Sequence, residues 1–135
     1  MMPRTSDEHP LASQIRSTLR GLSARSGADI SATAVMTSDG IMIASILGET
    51  IEGDTFAAMN ASLLMLAKRS SSEVDIGHLK QVMVMGTEGA MLLTEVNADT
   101  VLAIATEPSA NLGKTLLDTN RTVAVLQKMF DDIKQ

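Results

Sequence analysis

The segment Gly113-Lys114-Thr115 has the residue types that end a phosphate-binding loop, and it lies where a predicted strand gives way to a helix. A P-loop also needs a glycine five residues before Gly113, but the chain has Pro108 there. Proline has no backbone N–H with which to hold a phosphate oxygen. We therefore interpret Lys114 as a solvent-facing residue near the start of an amphipathic helix.

Metal binding and acid–base catalysis also lack a suitable pattern. The two histidines, His9 and His78, are far apart in the sequence, and the absence of cysteine excludes a thiolate metal site, a disulfide and a cysteine nucleophile. Asp39, Glu88 and Asp99 each fall in a predicted turn, where backbone hydrogen bonding explains a carboxylate better than paired acid–base chemistry. The sequence predicts no catalytic residue, no metal site and no cofactor, so we do not expect an enzyme.

The composition argues against nucleic acid and membrane as partners. The net charge is −5, and Phe56 and Phe130 are the only aromatic residues, so neither a basic surface nor a base-stacking platform is expected. No apolar run is as long as a membrane span, and the polar start Met1 to Pro10 lacks the apolar core of a signal peptide. We expect a cytoplasmic protein with no membrane insertion.

A chain of 135 residues has the usual length of one domain. We expect a flexible tail over residues 1–10 and a single domain over residues 11–135. The spacing of apolar residues predicts eight elements in the order αββαβββα. The predicted helices are 11–27, 54–69 and one introduced by Pro108 and Ser109, and the predicted strands are 30–37, 41–46, 79–85, 90–96 and 100–106.

Short joints between the predicted strands favour antiparallel neighbours. Residues 37–40 (Thr-Ser-Asp-Gly) are typical of a tight hairpin turn, because glycine takes a positive φ without steric cost and aspartate tolerates one. Asp54 or Thr55 is the expected cap of the second helix. The fold class that follows is an α+β sandwich, a five-stranded antiparallel sheet with helices on both faces.

The second predicted helix is apolar on more than one side. Apolar residues occur both on one stripe and on the side opposite it, namely Phe56, Met59, Leu63 and Leu66 on the first and Ala58, Ala61 and Met65 on the second. A helix that is apolar nearly all round is buried on two sides, and a domain of this size has little room to bury one centrally. The sequence therefore predicts that a partner chain covers this helix.

The last helix has a different pattern, with one narrow apolar face and one charged face. The apolar face carries Leu112, Leu116, Thr119, Val123, Leu126, Phe130 and Ile133, and the charged face carries Lys114, Asp118, Arg121, Lys128 and Asp132. We interpret the charged face as solvated and expect this helix to pack on one side only.

Four segments resemble the Roadblock/dynein light-chain domains, and the likeness runs from about Leu11 to Ile133. They are residues 35–44 around the hairpin turn, Phe56–Met59, Val82–Gly86 and Ala110–Gly113. The resemblance implies a Roadblock/profilin-like fold and a homodimer, in which the second helices of two subunits pack together and the third strands pair. It also implies a regulator or adaptor of a Ras-like small GTPase, acting through protein–protein contacts and in some members as a GTPase-activating partner.

With this resemblance, the sequence predicts residues for the dimer interface and for partner contacts. The predicted interface residues are Ala58, Met59, Ala61, Leu63, Met65, Leu66, Lys80, Val82 and Val84. Arg69 and Arg121 are predicted partner contacts, because an exposed arginine donated to a GTPase would stabilise its transition state. Two alternatives remain open, a passive scaffold in a signalling or motor complex and a sensor domain for a small ligand.

Overall fold

The computed structural model describes residues 9–133, so most of the predicted tail lies outside the described residues. Eight elements follow in the predicted order. They are helix α1 (Ala12–Ser26), strands β1 (Ile30–Thr37) and β2 (Met42–Ile46), helix α2 (Gly53–Glu73), strands β3 (Gln81–Gly86), β4 (Gly89–Asn97) and β5 (Thr100–Thr106), and helix α3 (Leu112–Ile133).

The five strands form one antiparallel sheet in the order β2-β1-β5-β4-β3. Strands β1 and β5 are far apart in the sequence but lie side by side in the sheet, with Val35 opposite Leu102. The pairs β1–β2, β3–β4 and β4–β5 are each joined by a short turn, as the short joints predict, whereas α2 connects β2 to β3. The α+β fold class is confirmed, and β2 and β3 are the two edges of the sheet.

Apolar side chains alternate along the strands and build a core on each face. On one face α1 and α3 bury Ile15, Leu19 and Leu126 against residues such as Leu102 and Ile104. On the other face α2 buries Ala57 and Leu64 against Ala34, Met36, Val101, Ala103 and Leu93. The sheet is therefore covered by two helices on one face and by one helix on the other.

The β1–β2 turn places glycine where glycine is needed. Gly40 has a φ of 99°, whereas Asp39 is not among the residues with positive φ. The Thr37 N–H donates to the Ile41 carbonyl at 2.8 Å, and the Gly40 N–H donates to the Thr37 carbonyl at 3.0 Å. The predicted hairpin is confirmed, but only its glycine adopts the left-handed conformation.

Helix α2 begins and ends differently from the prediction. Its N-cap is Glu52, whose carboxylate accepts the N–H groups of Asp54 and Thr55, so the predicted caps Asp54 and Thr55 are wrong. The helix also continues to Glu73, four residues beyond the predicted end. Consecutive serines resemble a polar connection, but here they stay helical.

The end of α2 explains why the serines stay helical. Asp75 adopts a φ of 59°, which turns the backbone so that the Ile76 N–H donates to the Ser71 carbonyl at 3.2 Å. The hydroxyl of the buried Ser71 donates to the Gly77 carbonyl at 3.0 Å. These bonds satisfy the last carbonyl groups and extend the helix by about one turn.

One residue of the predicted solvated face of α3 is buried, so the prediction is wrong for that residue. Asp118 is buried, and its carboxylate accepts hydrogen bonds from the Lys114 Nζ at 3.1 Å and from the Ser26 hydroxyl at 3.4 Å. Asp118 therefore joins α3 to the end of α1. At the other end, Ile133 is exposed and does not belong to the buried face.

Candidate interaction surface

The outward side of α2 carries large apolar side chains that the chain itself does not cover. Met59 is 60% exposed and Leu66 is 62% exposed, seven residues apart and on the side opposite the buried Ala57 and Leu64. We call Met59 and Leu66 the outer stripe. A soluble domain rarely leaves two such neighbouring side chains in water without a binding role.

The other predicted interface residues of α2 have different positions. Ala58 and Met65 are exposed beside the outer stripe, and Leu63 is half-buried. Ala61 is only 8% exposed, because it faces the β1–β2 turn, and a Cβ added to Gly40 would lie 3.5 Å from the Cβ of Ala61. Ala61 therefore has little surface left for a partner.

Strand β3 is the least covered strand of the sheet. Val82 lies opposite Leu93, a residue of the core under α2, so Val82 and Val84 lie on the α2 face of β3. Val82 is half-buried, Val84 is exposed, and Lys80 is exposed just before the strand. Within the described chain no strand pairs with the outer edge of β3, so its backbone groups are open on that side.

The second half of α2 is tied to the strands beside the edge of β3. The Lys68 amine forms an ion pair with the Glu95 carboxylate, which ties the second half of α2 to β4, the neighbour of β3. Leu79 and Val82 pack against the same core as Leu64 of α2. A partner that lies on α2 at this end would therefore also meet β3.

A cleft of about 430 Å³ lies between the end of α2 and the start of β3. Its lining includes Lys68, Asp75, His78 and Glu95, so the structure places His78 beside two carboxylates and an amine. In residues 9–133, however, no three His, Asp or Glu side chains are grouped as a metal site would require. His9 is elsewhere, with its ring against that of Phe130 at a centroid distance of 5.6 Å.

The residues of the P-loop-like segment stabilise the junction of α1 and α3. The Asn111 side chain accepts the Lys114 N–H at 3.1 Å, and the Thr115 hydroxyl donates to the Asn111 carbonyl at 3.0 Å. The Lys114 amine donates to the Arg25 carbonyl at 3.0 Å as well as to Asp118. Lys114 is exposed near the start of α3, as the sequence predicts, but its amine is also engaged within the chain.

The two predicted partner arginines are not brought together. Arg69 is exposed on α2, whereas Arg121 is exposed on α3, on the other face of the sheet. The Arg121 guanidinium lies 3.9 Å from the Asp118 carboxylate. No single partner surface on one side of the sheet would include both arginines.

The start of α2 has one perturbed carboxyl group. The Thr55 hydroxyl donates to the Glu52 carboxylate at 2.7 Å, and the Thr55 and Asp54 N–H groups donate at 2.9 and 3.3 Å. These bonds favour the ionised form, so they lower the pKa of Glu52 below its usual value, with the Thr55 hydroxyl as the largest cause. The negative charge at this end also suits the helix dipole.

Sequence reasoning missed two exposed apolar residues at the end of α2. Val74 and Ile76 flank the left-handed Asp75 and are both largely exposed. The pattern of residues 70–76 suggested a polar loop, which hid them. The sequence signal for them is the segment Val74-Asp75-Ile76, in which two apolar residues flank a residue that can end a helix in the left-handed conformation.

Three comparisons with known proteins agree with this geometry. The family model described as Roadblock/LC7 domain matches residues 22–106. The chain belongs to the Roadblock/LC7 domain family. It is 28% identical over 101 residues to the uncharacterized protein MJ1340 of Methanocaldococcus jannaschii, a match that covers 75% of this chain and 88% of that one.

Solved structures of this family and of profilin have the same fold. Myxococcus xanthus MglB superposes with a TM-score of 0.83 at 16% identity, over 89% of this chain and 97% of that chain. Acanthamoeba castellanii profilin IA superposes with a TM-score of 0.59 at 11% identity, over 88% of this chain and 98% of that chain. The Roadblock/profilin-like fold is therefore confirmed. Among residues 9–133, no helix has both the length and the apolar character that crossing a membrane requires.

Proposed function

We propose that this protein is a homodimeric regulator of a Ras-like small GTPase, acting through protein contacts and without an active site of its own. One observation carries the proposal: the outer stripe of α2 and the open edge of β3 are both apolar and exposed, and the Lys68–Glu95 ion pair ties α2 to β4, the neighbour of β3. Burial of such side chains is the main favourable contribution to association, which must exceed the entropic costs of binding. Membership of the Roadblock/LC7 family and the likeness to MglB support the choice of partner.

A second copy of the chain is the simplest cover for the edge of β3. Two identical edge strands pair antiparallel when a two-fold axis runs perpendicular to the sheet. That axis keeps both α2 helices on one face and both pairs of α1 and α3 on the other. The two outer stripes then lie on the same face as Val82 and Val84 of each copy.

The dimer supplies a surface on which a GTPase is recognised as a folded partner. Met59 and Met65, which we place between the two copies, suit that contact because the flexible thioether side chain adapts to surfaces of different shape. Arg69, exposed near the end of the same helix, is the arginine that we place at the partner contact. Arg121 is left out, since it lies on the other face of the sheet.

The decisive experiment uses a purified Ras-like GTPase from the same genome, taken from the neighbouring gene where that gene encodes one. Binding is measured by calorimetry with the GTPase loaded with GDP and, separately, with a non-hydrolysable GTP analogue. We expect the two nucleotide states to differ in affinity by at least tenfold, since a regulator must distinguish them. Absence of binding in both states would contradict the proposal.

Variants locate the contact on the protein. Arg69→Ala should weaken GTPase binding by tenfold or more, whereas the matched variant Arg121→Ala on α3 should leave it within twofold. Equal losses from the two variants would move the contact away from α2. A multiple-turnover GTPase assay with and without the protein then separates regulation from passive scaffolding, which leaves the hydrolysis rate unchanged.

A further inference from the structure

The second half of β3 is apolar and uncovered on the face that points away from α2, whereas the half-buried Gln81 lies on the same face at the start of the strand. Met83 lies opposite Leu92 and Leu92 opposite Ile104, which belongs to the core under α1 and α3. Directly opposed residues share a face of a sheet, so Met83 and Met85 lie on the α1 and α3 face. Met83 is partly exposed and Met85 is 64% exposed.

The two helices of this face leave β3 bare. Helix α1 packs on β1 and β2, and α3 packs on β4, where the Gln127 side chain donates to the Val96 carbonyl at 2.9 Å. A helix is about 10 Å wide and strands are about 4.8 Å apart, so one helix covers about two strands. Two helices therefore cover four strands of the five, and β3 is the strand without a cover.

Pairing of two β3 strands doubles the bare area. In the proposed dimer, on which this inference rests, two uncovered strands lie side by side over a width of about 10 Å, the width of one helix. The α3 helices of the two copies stand along both sides of this strip. We call the strip and its walls the trench, with Met83 and Met85 on its floor and the half-buried Leu112 on its wall.

The shape of the trench decides which kind of partner reaches the floor. A flat protein surface is held off by the α3 helices on both sides. An added strand is excluded, because the β3 backbone groups are already used by the pairing of the two copies. A single helix fits the width and presents a row of side chains to the methionines.

Carboxylate groups lie at the ends of the trench. A cleft of about 110 Å³, large enough for one aliphatic side chain, lies between the β3–β4 turn and the start of α3. Met85, Pro108 and Leu112 line it together with Glu107, and the exposed Glu88 lies in the same turn. The two-fold axis repeats these two carboxylates at the other end. The floor is thus uncharged and both ends are acidic.

We propose that the trench is a second docking site, which binds one amphipathic helix of a partner protein. The helix presents an apolar stripe to Met83 and Met85 and basic residues to the carboxylates at the two ends. The site lies on the face opposite α2, so a GTPase and this helix would bind at the same time.

The test uses the full chain labelled with ¹³C at the methionine methyl groups. The probe is a synthetic 18-residue helix with leucine on one stripe and lysine at both ends. We expect the methyl signals of Met83 and Met85 to shift on titration, while those of Met59 and Met65 on α2 stay unchanged. Shifts confined to Met59 and Met65, or no shift at millimolar peptide, would overturn the proposal.

Neutral substitutions locate the peptide without adding charge beside the dimer axis. The double variant Met83→Gln with Met85→Gln should weaken peptide binding at least tenfold, measured by fluorescence anisotropy. Leu117→Gln, at an equally exposed apolar residue on the outer side of α3, should leave binding within twofold. Equal weakening by the two variants would contradict a specific trench.

A second pair of measurements tests the charged ends and the dimer. Glu107→Lys should weaken binding of the lysine-ended peptide about threefold and strengthen binding of a glutamate-ended one; an unchanged affinity for both would remove the charge from the proposal. Light scattering on the same samples gives the mass. A monomer of 14.3 kDa overturns both the dimer and the trench, whereas a dimer without peptide shifts overturns the trench alone.

Discussion

The two edge strands of the sheet differ in how much of their surface the chain covers. Strand β2 lies between α1 on one face and the start of α2 on the other, and its residues Ile43 and Ala44 are buried. In strand β3, by contrast, Met83, Val84 and Met85 are all exposed. Both strands have a free backbone edge, but only β3 also offers apolar side chains on both faces.

This difference favours β3 as the edge that a partner covers in the proposed dimer. A free edge is normally protected by charge, by proline or by a covering element. β2 has covering helices, whereas β3 has Lys80 just before it and no charge within it. Exposure of an apolar edge is a risk of aggregation unless another chain occupies it.

A glycine-to-alanine substitution should destabilise the protein much more in the β3–β4 hairpin than in the β1–β2 hairpin. A Cβ on Gly89, at φ 146°, would lie 2.3 Å from the Thr106 carbonyl oxygen, so Gly89→Ala should lower the free energy of unfolding by roughly 3–5 kcal/mol. In the β1–β2 hairpin, a Cβ on Gly40 would lie 3.3 Å from the Ala58 Cα, and Gly40→Ala should cost roughly 1–2 kcal/mol. Urea unfolding at one fixed protein concentration measures both; similar losses would refute the distinction.

A substitution to glutamate should dissociate the proposed dimer only when it is placed on β3. Val84→Glu brings two like charges close to the proposed two-fold axis and should raise the dissociation constant of the dimer at least a hundredfold. Ile41→Glu, at the start of the other edge and more exposed than Val84, should leave the dimer intact. Sedimentation at micromolar concentration distinguishes the 14.3 kDa monomer from the dimer, and dissociation of both variants would contradict a specific role of β3.

Two buried threonines on the neighbouring strands β1 and β5 should have effects of opposite sign. The Thr33 hydroxyl has no hydrogen-bond partner within the described residues, so Thr33→Val should stabilise the protein by roughly 1 kcal/mol. The Thr106 hydroxyl accepts the Ala90 N–H at 3.0 Å next to the β3–β4 hairpin, so Thr106→Val should destabilise by roughly 1–3 kcal/mol. Thermal unfolding checks both signs, and a destabilised Thr33→Val protein would show that the hydroxyl is satisfied in solution.

The smallest expected effect is the pH dependence of the α2 cap. The folded state lowers the pKa of Glu52, so the contribution of Glu52 to stability is present above the ordinary glutamate pKa and is lost as the pH falls towards the lowered value. The melting temperature of the wild type should therefore fall more between pH 6 and pH 3 than that of Glu52→Gln, which has no charge to lose. Parallel curves for the two proteins would exclude this role.

The sequence predicted the strands better than the ends of the helices. β1 and β5 follow alternating and β-branched runs that no other structure accommodates, and their predicted bounds are those found. Helix α2 extends through three serines because Asp75 adopts a left-handed backbone conformation after it. The hydrogen bonds that follow offset the energetic cost of this conformation, and local helix propensity does not reveal them. Helix ends are set by such tertiary bonds, so the sequence pattern alone misplaced them.

The candidate surface was predictable in part for the same physical reason. Met59, Leu66 and Val84 are exposed, as their predicted place in an interface requires, because an apolar residue on an exposed face leaves a visible excess in the pattern. The burial of Ala61 and Asp118 was not predicted, since whether one residue contacts its own chain depends on distant neighbours such as Gly40 and Ser26. Burial at the boundary of a helical face is a tertiary property.

The alternation of valine and methionine in β3 has a consequence for how two copies align. A shift of one strand by two residues along the other returns valine to the valine face and methionine to the methionine face. The strand therefore fixes which way the two sheets face but hardly fixes their offset. In the proposed dimer, contacts between the outer stripes (Met59 and Leu66) of the two α2 helices set the offset of the two β3 strands.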